Sequence, residues 1–306
     1  MGQVLIVGCI AGGIYALFAI SVVLVYRGTG VLTFAQGEIG AASLYLAAYL
    51  VTDQKLPWFV GALAALLLAG VLGVAFERLV VRPMVDADKV AIAVATVGLV
   101  LFLVAVEFNL FGQSPRSLKG PFTGGVRVDR IVISATQIIA LLLAVALGFG
   151  LQAALRRSDF GLGILAAAQD PAAVRLVGVP LSRISATLWG AGAVVSAIAA
   201  LLVEPTVTVF SPGYASELYV VGLAAACVGG LTSLPGAVVG GLVLGIAESA
   251  ANRYLGDSGL SGLRYVTVFA VLLVVLLGRS VWPDLRRRLA QRSAADPALP
   301  LAGRAG

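Results

Sequence analysis

The sequence predicts an all-α, polytopic integral membrane protein with about eight or nine transmembrane helices, some of them discontinuous. Of its 306 residues, 60% are hydrophobic and only 12% are charged, whereas an ordinary soluble domain carries roughly 25% charged residues. The mean hydropathy is +1.02. The 21 basic and 15 acidic side chains are too few to cover the surface of a soluble protein of this size.

Nine apolar runs approach the length of a transmembrane helix, which needs about 20 mostly apolar residues. They lie at roughly 4–26, 31–52, 58–76, 90–111, 132–154, 184–203, 217–233, 236–252 and 264–279. The stretch 217–252 can also be drawn as one re-entrant hairpin, which leaves eight or nine spans open. The first run is too long for a signal-peptide core and has no positive flank before it, so we expect it to remain as a helix.

The distribution of lysine and arginine predicts an outside N-terminus and a cytoplasmic C-terminus. With alternating spans, fourteen of the 21 basic residues fall in inner loops and the tail, and seven fall in outer loops. A single transmembrane domain is predicted over 1–285, with its longest cytoplasmic loop at about 156–183. The basic segment 286–306 is predicted to be a disordered tail that either anchors the topology or touches anionic lipid.

The residues that the chain lacks exclude several chemistries. It has no histidine, the usual general base near neutral pH and the commonest metal ligand. Cys9 and Cys227 lie in apolar runs and form neither a CxxC pair nor a disulfide framework. No lysine follows a glycine, so the sequence contains no GxxxxGK[ST] phosphate-binding loop. If ATP drives transport here, another subunit hydrolyses it.

Three carboxylates fall inside predicted spans, where an ionised side chain costs about 2.5–3.5 kcal/mol at the bilayer centre. Glu38 lies near the start of the second span, Glu107 near the end of the fourth and Glu248 within the eighth. Two interpretations of Glu38 are open: a functional or gating role, or a helix-end carboxylate that is held by backbone amides. Glu107 is expected to reach water at the interface. For Glu248, structural and functional roles are equally open.

Glycines are abundant, with 37 in the chain, and several recur four residues apart, a spacing that lets helix backbones approach closely. The predicted helix-packing positions are Gly8, Gly12, Gly236, Gly240, Gly241 and Gly245. A second group interrupts the apolar run at the second span, namely the turn 28–30 with Gly37 and Gly40. There we predict a broken helix whose backbone faces a polar pathway.

Several motifs resemble those of the permease subunits of branched-chain amino-acid ABC importers. The segments 13–17 (GIYAL) and 29–38 (TGVLTFAQGE) are similar to the signature of that family. The run 228–241 (VGGLTSLPGAVVGG) is similar to its glycine-rich C-terminal stretch, and 161–178 resembles its ATPase-docking segment. These matches are spread over most of the chain.

The resemblance implies a transmembrane subunit of the first of the family's two permease types, located in the bacterial cytoplasmic membrane. It implies four kinds of partner: a second homologous permease, two cytoplasmic ABC ATPases, an extracytoplasmic solute-binding protein and membrane lipid. The implied substrates are branched-chain or other small amino acids. No cofactor is expected in this chain, because ATP and magnesium would bind to the partner ATPases, and no nucleic acid is expected to bind.

Site residues follow from the same resemblance. The residues expected near the substrate pathway are Tyr15, Phe34, Gln36 and Glu38. A histidine is frequent in the family where this chain has Gln36, which takes no charge, so no proton-linked role is expected there. The segment 161–178 is expected to be the coupling helix.

Within that coupling helix, the positions expected to contact the ATPase are Asp170, Ala172, Ala173 and Gly178. The general loop motif places Glu-Ala-Ala before a glycine, and counting back from Gly178 puts Ala172 at the glutamate position. Docking is therefore expected through shape and apolar contact rather than through a glutamate-specific salt bridge.

Other functions stay open on the residues alone. Related ABC permeases carry urea or short amides, and the sequence does not separate these substrates well from amino acids. A self-sufficient secondary transporter or channel would need an intramembrane carboxylate for ion coupling, such as Glu38 or Glu248, although the long inner loop argues against it. A membrane-embedded enzyme finds no support, since histidine, clustered acids and a nucleophile motif are all lacking.

Overall fold

The fold, taken from a computed structural model, is described for residues 2–121, 124–128, 131–158, 161–164, 180–203, 210–256 and 262–294. The helices are α1 (Gly2–Thr29), α2 (Ala35–Ala48), α3 (Trp58–Phe76), α4 (Lys89–Phe111), α5 (Ala135–Arg157), α6 (Leu181–Leu202), α7 (Tyr214–Gly229), α8 (Leu234–Leu255) and α9 (Leu263–Ala294). Two π-helical turns, Tyr49–Asp53 and Glu77–Val81, continue α2 and α3. A hairpin of β1 (Gly125–Val128) and β2 (Ile131–Ser134) pairs antiparallel before α5.

The prediction of an all-α, multi-pass membrane protein is confirmed. Within the described ranges, six helices are long and apolar enough to cross a membrane: α1, α3 with its π-helical turn, α4, α5, α6 and α8. Helix α7 and the Leu263–Gly278 part of α9 are shorter apolar helices. The 16 residues of α7 extend about 24 Å, which is less than the roughly 30 Å hydrocarbon core.

Helix α1 is the centre of the bundle. In its most apolar stretch 78% of the residues are buried, compared with 17% in α5. It packs against α5, α6, α7 and α8, as expected for a helix that is apolar on every side. The outer helices α3, α4, α5 and α9 instead present large exposed apolar side chains, among them Leu67, Phe102, Leu142 and Phe269. Such faces are suited to lipid.

The glycines of α8 lie at its interfaces with two neighbouring helices. Gly241 and Gly245 face α1, where a β-carbon on Gly241 would lie 2.5 Å from the backbone nitrogen of Ala16. Gly236 and Gly240 face α7, where added β-carbons would overlap backbone carbonyl groups. The backbones therefore approach more closely than any residue with a side chain would permit.

Contacts between helix ends define two faces of the bundle. At one face, the guanidinium of Arg27, near the end of α1, donates to the Gln152 side chain of α5 at 2.8 Å and to the Thr232 carbonyl oxygen at 2.7 Å. At the other face, Arg116 forms an ion pair with Asp53 at 2.9 Å. The positive-inside rule assigns the Arg27 face to the cytoplasm, and this orientation stays a prediction.

The predicted helix break is present but shorter than expected. The chain leaves the helical conformation over 30–34, where Gly30 has φ of +65°. The prediction is wrong for Gly28, which lies inside α1, and for Gly37 and Gly40, which lie inside α2. A β-carbon on Gly37 would overlap the side chain of Tyr219, and Gly40 lies directly against α6. These two glycines permit helix packing and do not break the helix.

Two predicted regions lie partly or wholly outside the described residues. The first is the predicted coupling helix 161–178, of which only 161–164 is described. Its four predicted contact positions lie outside the described residues, namely Asp170, Ala172, Ala173 and Gly178.

The second region is the predicted tail 286–306. Helix α9 continues to Ala294, beyond the domain boundary predicted at 285 and into this tail. The segment 285–292 (LRRRLAQR) consists of residues with high helix propensity, which accounts for the extension.

Candidate substrate pathway between helices α2, α4 and α7

Side chains of two helices satisfy the backbone of the non-helical segment 30–34, in which Val31 and Thr33 are buried and Phe34 is exposed. The Tyr219 hydroxyl of α7 donates to the Thr33 carbonyl oxygen at 2.7 Å. The Phe34 backbone N–H donates to the Thr96 hydroxyl of α4 at 3.1 Å. Irregular backbone is stable at membrane depth only when it is satisfied in this way by protein or water. Helices α4 and α7 therefore fix the place where α2 begins.

Directly after the break, α2 brings Glu38 toward α4 and α7. Its side chain is 0% exposed and accepts a hydrogen bond from the Ser216 hydroxyl of α7. Glu107 of α4 is 1% exposed, and its carboxyl group lies close enough to that of Glu38 for the two to interact. The backbone of Gly213, which precedes α7, lies beside both carboxyl groups. Glu38 and Glu107 are called the acid pair below.

The expectation that Glu107 reaches water is wrong, because aromatic rings and a later loop cover the end of α4. The Tyr45 ring lies 5.2 Å from that of Phe111 and 5.0 Å from that of Phe210. The backbones of Arg116 and Phe210 pair with each other through two hydrogen bonds of 3.0 and 2.8 Å. Of these covering residues, Tyr45 and Phe210 are remote from Glu107 in the chain. Its position near the end of an apolar run therefore predicted, wrongly, that it would lie at the surface.

The acid pair has unused hydrogen-bonding capacity. No donor group reaches Oε1 of Glu38 or either carboxyl oxygen of Glu107 at full hydrogen-bonding geometry, although the two carboxyl groups lie within interaction range of each other and of the Gly213 backbone. The buried hydroxyl of Tyr45, which interacts electrostatically with both acids, has no hydrogen-bond partner either. Among the ion pairs of the described residues, none involves Glu38 or Glu107. Unpartnered buried carboxyl groups are rare in native proteins, and inside a membrane they mark functional sites.

Two more of the predicted pathway residues lie at the start of α2, where Phe34 precedes the helix and the Gln36 side chain lies near Gly192 of α6. Gln36 is fully buried, and neither its side-chain oxygen nor its nitrogen has a hydrogen-bond partner. Its backbone carbonyl accepts from the Ser196 hydroxyl of α6 at 2.6 Å. Phe34 is 37% exposed. Apolar surface and unsatisfied polar groups therefore lie next to each other at the start of α2.

Tyr15, the fourth predicted pathway residue, lies in a second polar cluster. Its hydroxyl donates to Glu248 of α8 at 2.5 Å, and Arg264 of α9 donates to the other oxygen of the same carboxylate at 2.7 Å. Tyr214, the first residue of α7, interacts with Arg264. The start of α7 therefore contacts both polar clusters, through Tyr214 on one side and Ser216 on the other.

Sequence reasoning missed Tyr45, Ser216 and Tyr219, which complete the surroundings of the acid pair. Tyr45 and Tyr219 lie in apolar stretches and Ser216 lies just before one, and their spacing in the chain gives no indication of Glu38 as a neighbour. The sequence did indicate Glu107 as a candidate, because an acidic residue within a membrane span requires a partner or a cavity.

The chain is similar to known permeases over most of its length. Residues 4–277 match the family described as the permease component of branched-chain amino acid transport systems. The high-affinity branched-chain amino acid transport system permease protein BraD of Pseudomonas aeruginosa is 30% identical, over 90% of this chain and 93% of BraD. LivH of Escherichia coli K12, with the same description, is 28% identical, over 88% of this chain and 91% of LivH. Among solved structures, PsaBC from Streptococcus pneumoniae in complex with Fab covers 88% of this chain and 89% of its own, at 16% identity and a TM-score of 0.45.

Proposed function

The chain belongs to the permease components of branched-chain amino acid transport systems, and from that premise we propose that it forms the membrane pathway of an ATP-driven importer. The proposed substrates are branched-chain or other small amino acids, handed over by an extracytoplasmic binding protein. The chain itself is a transport subunit and not an enzyme.

The helix break at 30–34 and the acid pair that follows it support this proposal most directly. A transporter needs polar groups and irregular backbone inside the membrane, where they can face a substrate. Three of the four carboxyl oxygens of this buried pair lack a donor, and ionisable groups of this kind inside a membrane protein mark functional sites. The apolar surroundings of the pair would accommodate an aliphatic side chain.

The proposed assembly contains a second homologous permease and two cytoplasmic ABC ATPases, which would bind ATP and magnesium. The absence of a phosphate-binding loop from the sequence and the transport-system names of the relatives support this assignment. The proposed coupling helix, 161–178, follows α5 directly. Arg27 of α1 donates a hydrogen bond to Gln152 near the end of α5. Movement of the coupling helix would therefore be transmitted through α5 to α1, at the centre of the bundle.

Gentle affinity purification of this chain from its native membranes tests the proposal. We expect a second permease and two P-loop ATPases to copurify in fixed stoichiometry, and the assembly to import radiolabelled leucine in an ATP-dependent manner. Recovery of the chain alone, with uptake in vesicles that lack ATP, would contradict the importer and favour a secondary transporter. Uptake of urea or a short amide in place of amino acids would leave the importer in place and correct its substrate.

A further inference from the structure

We propose that Glu38 and Glu107 form a binding site for the ammonium group of the amino acid as it passes through the permease. The inference rests on the proposed function and adds to it a place in the pathway where the common part of all amino-acid substrates is recognised.

The acceptor atoms at the acid pair match the donors of an ammonium group. An ammonium group has three N–H donors, no acceptor and one positive charge. The unpartnered acceptors are Oε1 of Glu38, both carboxyl oxygens of Glu107 and the hydroxyl oxygen of Tyr45. Hydrogen bonds from a cationic donor to a carboxylate are about twice as strong as those between neutral groups, so such an occupant would satisfy the site.

The electrostatics also favour a cation from outside the chain. Two neighbouring carboxylates repel each other when both are ionised, and a positive occupant relieves that repulsion. Two basic side chains interact with residues of the polar clusters, Arg116 with Tyr45 and Arg264 with Tyr214. Both are already engaged in ion pairs, Arg116 with Asp53 and Arg264 with Glu248.

The composition of the site selects an organic cation over a metal ion. Calcium takes six to eight oxygen ligands, and magnesium requires near-ideal octahedral geometry with several waters. Within the described ranges, no group of three or more acidic or cysteine side chains comes together. The Tyr45 side chain interacts with both acids, and its ring packs against those of Phe111 and Phe210; aromatic faces attract organic ammonium ions.

The site is closed in this structure, since both carboxyl groups are buried. Its residues come from α2, α4 and α7, so it opens when these helices separate. Gly213, just before α7, has φ of +84°, a backbone conformation that glycine adopts readily.

Binding of three related probes to the purified full-length chain in lipid nanodiscs, with the subunits that copurify, tests the proposal. The probes are L-leucine, 3-methylbutylamine, which lacks its carboxylate, and 4-methylpentanoate, which lacks its amine. We expect leucine and the amine to raise the unfolding midpoint and the carboxylate to leave it unchanged. Glu38→Gln and Glu107→Gln should each weaken binding of the amine about tenfold or more, the loss expected for a charge-assisted hydrogen bond.

Glu77→Gln is the matched control, because Glu77 is equally buried but lies near Arg82, outside the site, and it should leave amine binding unchanged. Equal stabilisation by the carboxylate probe, or unchanged amine binding in both site variants, would overturn the proposal. No response to any probe would also overturn it and would mean that the pair holds only a proton. If the variants do not fold, binding of the three probes to the unmodified chain still tests the proposal.

A separate leucine-uptake assay of the assembled importer distinguishes failure of the site from failure of the function. Uptake without amine binding overturns the ammonium site and leaves the importer. Amine binding without uptake overturns the importer and leaves the site.

Discussion

Tyr15 of α1 and Glu248 of α8 are joined by a 2.5 Å hydrogen bond across the most extensive helix interface of the bundle. Arg264 of α9 holds the other oxygen of the same carboxylate at 2.7 Å. Because a buried carboxylate is stable only when it is paired and hydrogen-bonded, these two donors explain why an acid is tolerated within α8. They fasten three helices together at one point.

Removing members of this cluster should destabilise the bundle by unequal amounts. Tyr15→Phe deletes one hydrogen bond to a charged group and should cost about 1.5–3 kcal/mol of unfolding free energy. Glu248→Ala also leaves Arg264 without its partner, and should cost about 2–4 kcal/mol, less than a fully buried orphan charge because Arg264 is 35% exposed. Denaturant unfolding in detergent measures both.

The double variant provides the control for this cluster. Tyr15→Phe added to Glu248→Ala should cost little more than Glu248→Ala alone, because the tyrosine hydroxyl has already lost its acceptor. Fully additive losses would show that the two residues act independently.

Gly245→Ala should loosen the interface between α1 and α8. The new β-carbon would overlap the backbone of Gly8 and Gly12, and overpacking of this kind costs about 1–3 kcal/mol. Gly98→Ala in α4 is the control, because no atom lies within 4 Å of its added β-carbon, so alanine should be neutral or slightly stabilising there. Thermal stability of the two purified variants measures the difference, and equal midpoints would contradict the packing argument.

Tyr219→Phe should destabilise the start of α2. It removes the donor to the Thr33 carbonyl oxygen, and a buried acceptor left without a partner costs about 1–3 kcal/mol. Tyr49→Phe removes a comparable hydrogen bond, from Gln54 at 2.9 Å, but at an exposed site. Hydrogen exchange over residues 30–40 should increase in the first variant and stay unchanged in the second. No change in the first would mean that the break does not depend on Tyr219.

A bulky residue at Gly178, such as Gly178→Trp, should separate ATP hydrolysis from uptake. The glycine is expected to let the coupling helix dock closely on its ATPase, and a large side chain would hold the two apart. ATP hydrolysis and leucine uptake measured together in proteoliposomes should show fewer substrate molecules imported per ATP. Normal uptake at a normal hydrolysis rate would count against the assignment of 161–178.

Single cysteines should report the orientation of the chain in whole cells. With Cys9 and Cys227 replaced by serine, Gly124→Cys should react with a membrane-impermeant maleimide from outside, and Val85→Cys should not. Both positions are exposed in the structure. The opposite labelling pattern would invert the proposed topology.

Much of the architecture was predictable because the period and length of apolar runs depend only on neighbouring residues. The predicted spans 58–76 and 90–111 agree closely with Trp58–Phe76 and Lys89–Phe111. The break near Gly30 was predictable for the same reason, since glycines that interrupt an apolar run are visible in the sequence. Gly37 was misassigned because the ring that it accommodates belongs to Tyr219, a residue of another helix.

Residue order alone is enough to predict the class of protein, the approximate spans, the small-residue seams and the presence of three acids that require compensation. How each acid is compensated depends on the packing of the folded helices. Glu248 accepts hydrogen bonds from Tyr15 and Arg264. Glu38 and Glu107 instead lie against each other, and three of their four carboxyl oxygens have no donor. The reason is that a buried charge is compensated by whichever helices pack against it. Those helices can be far apart along the chain, so the distance in sequence between two side chains does not predict their distance in space.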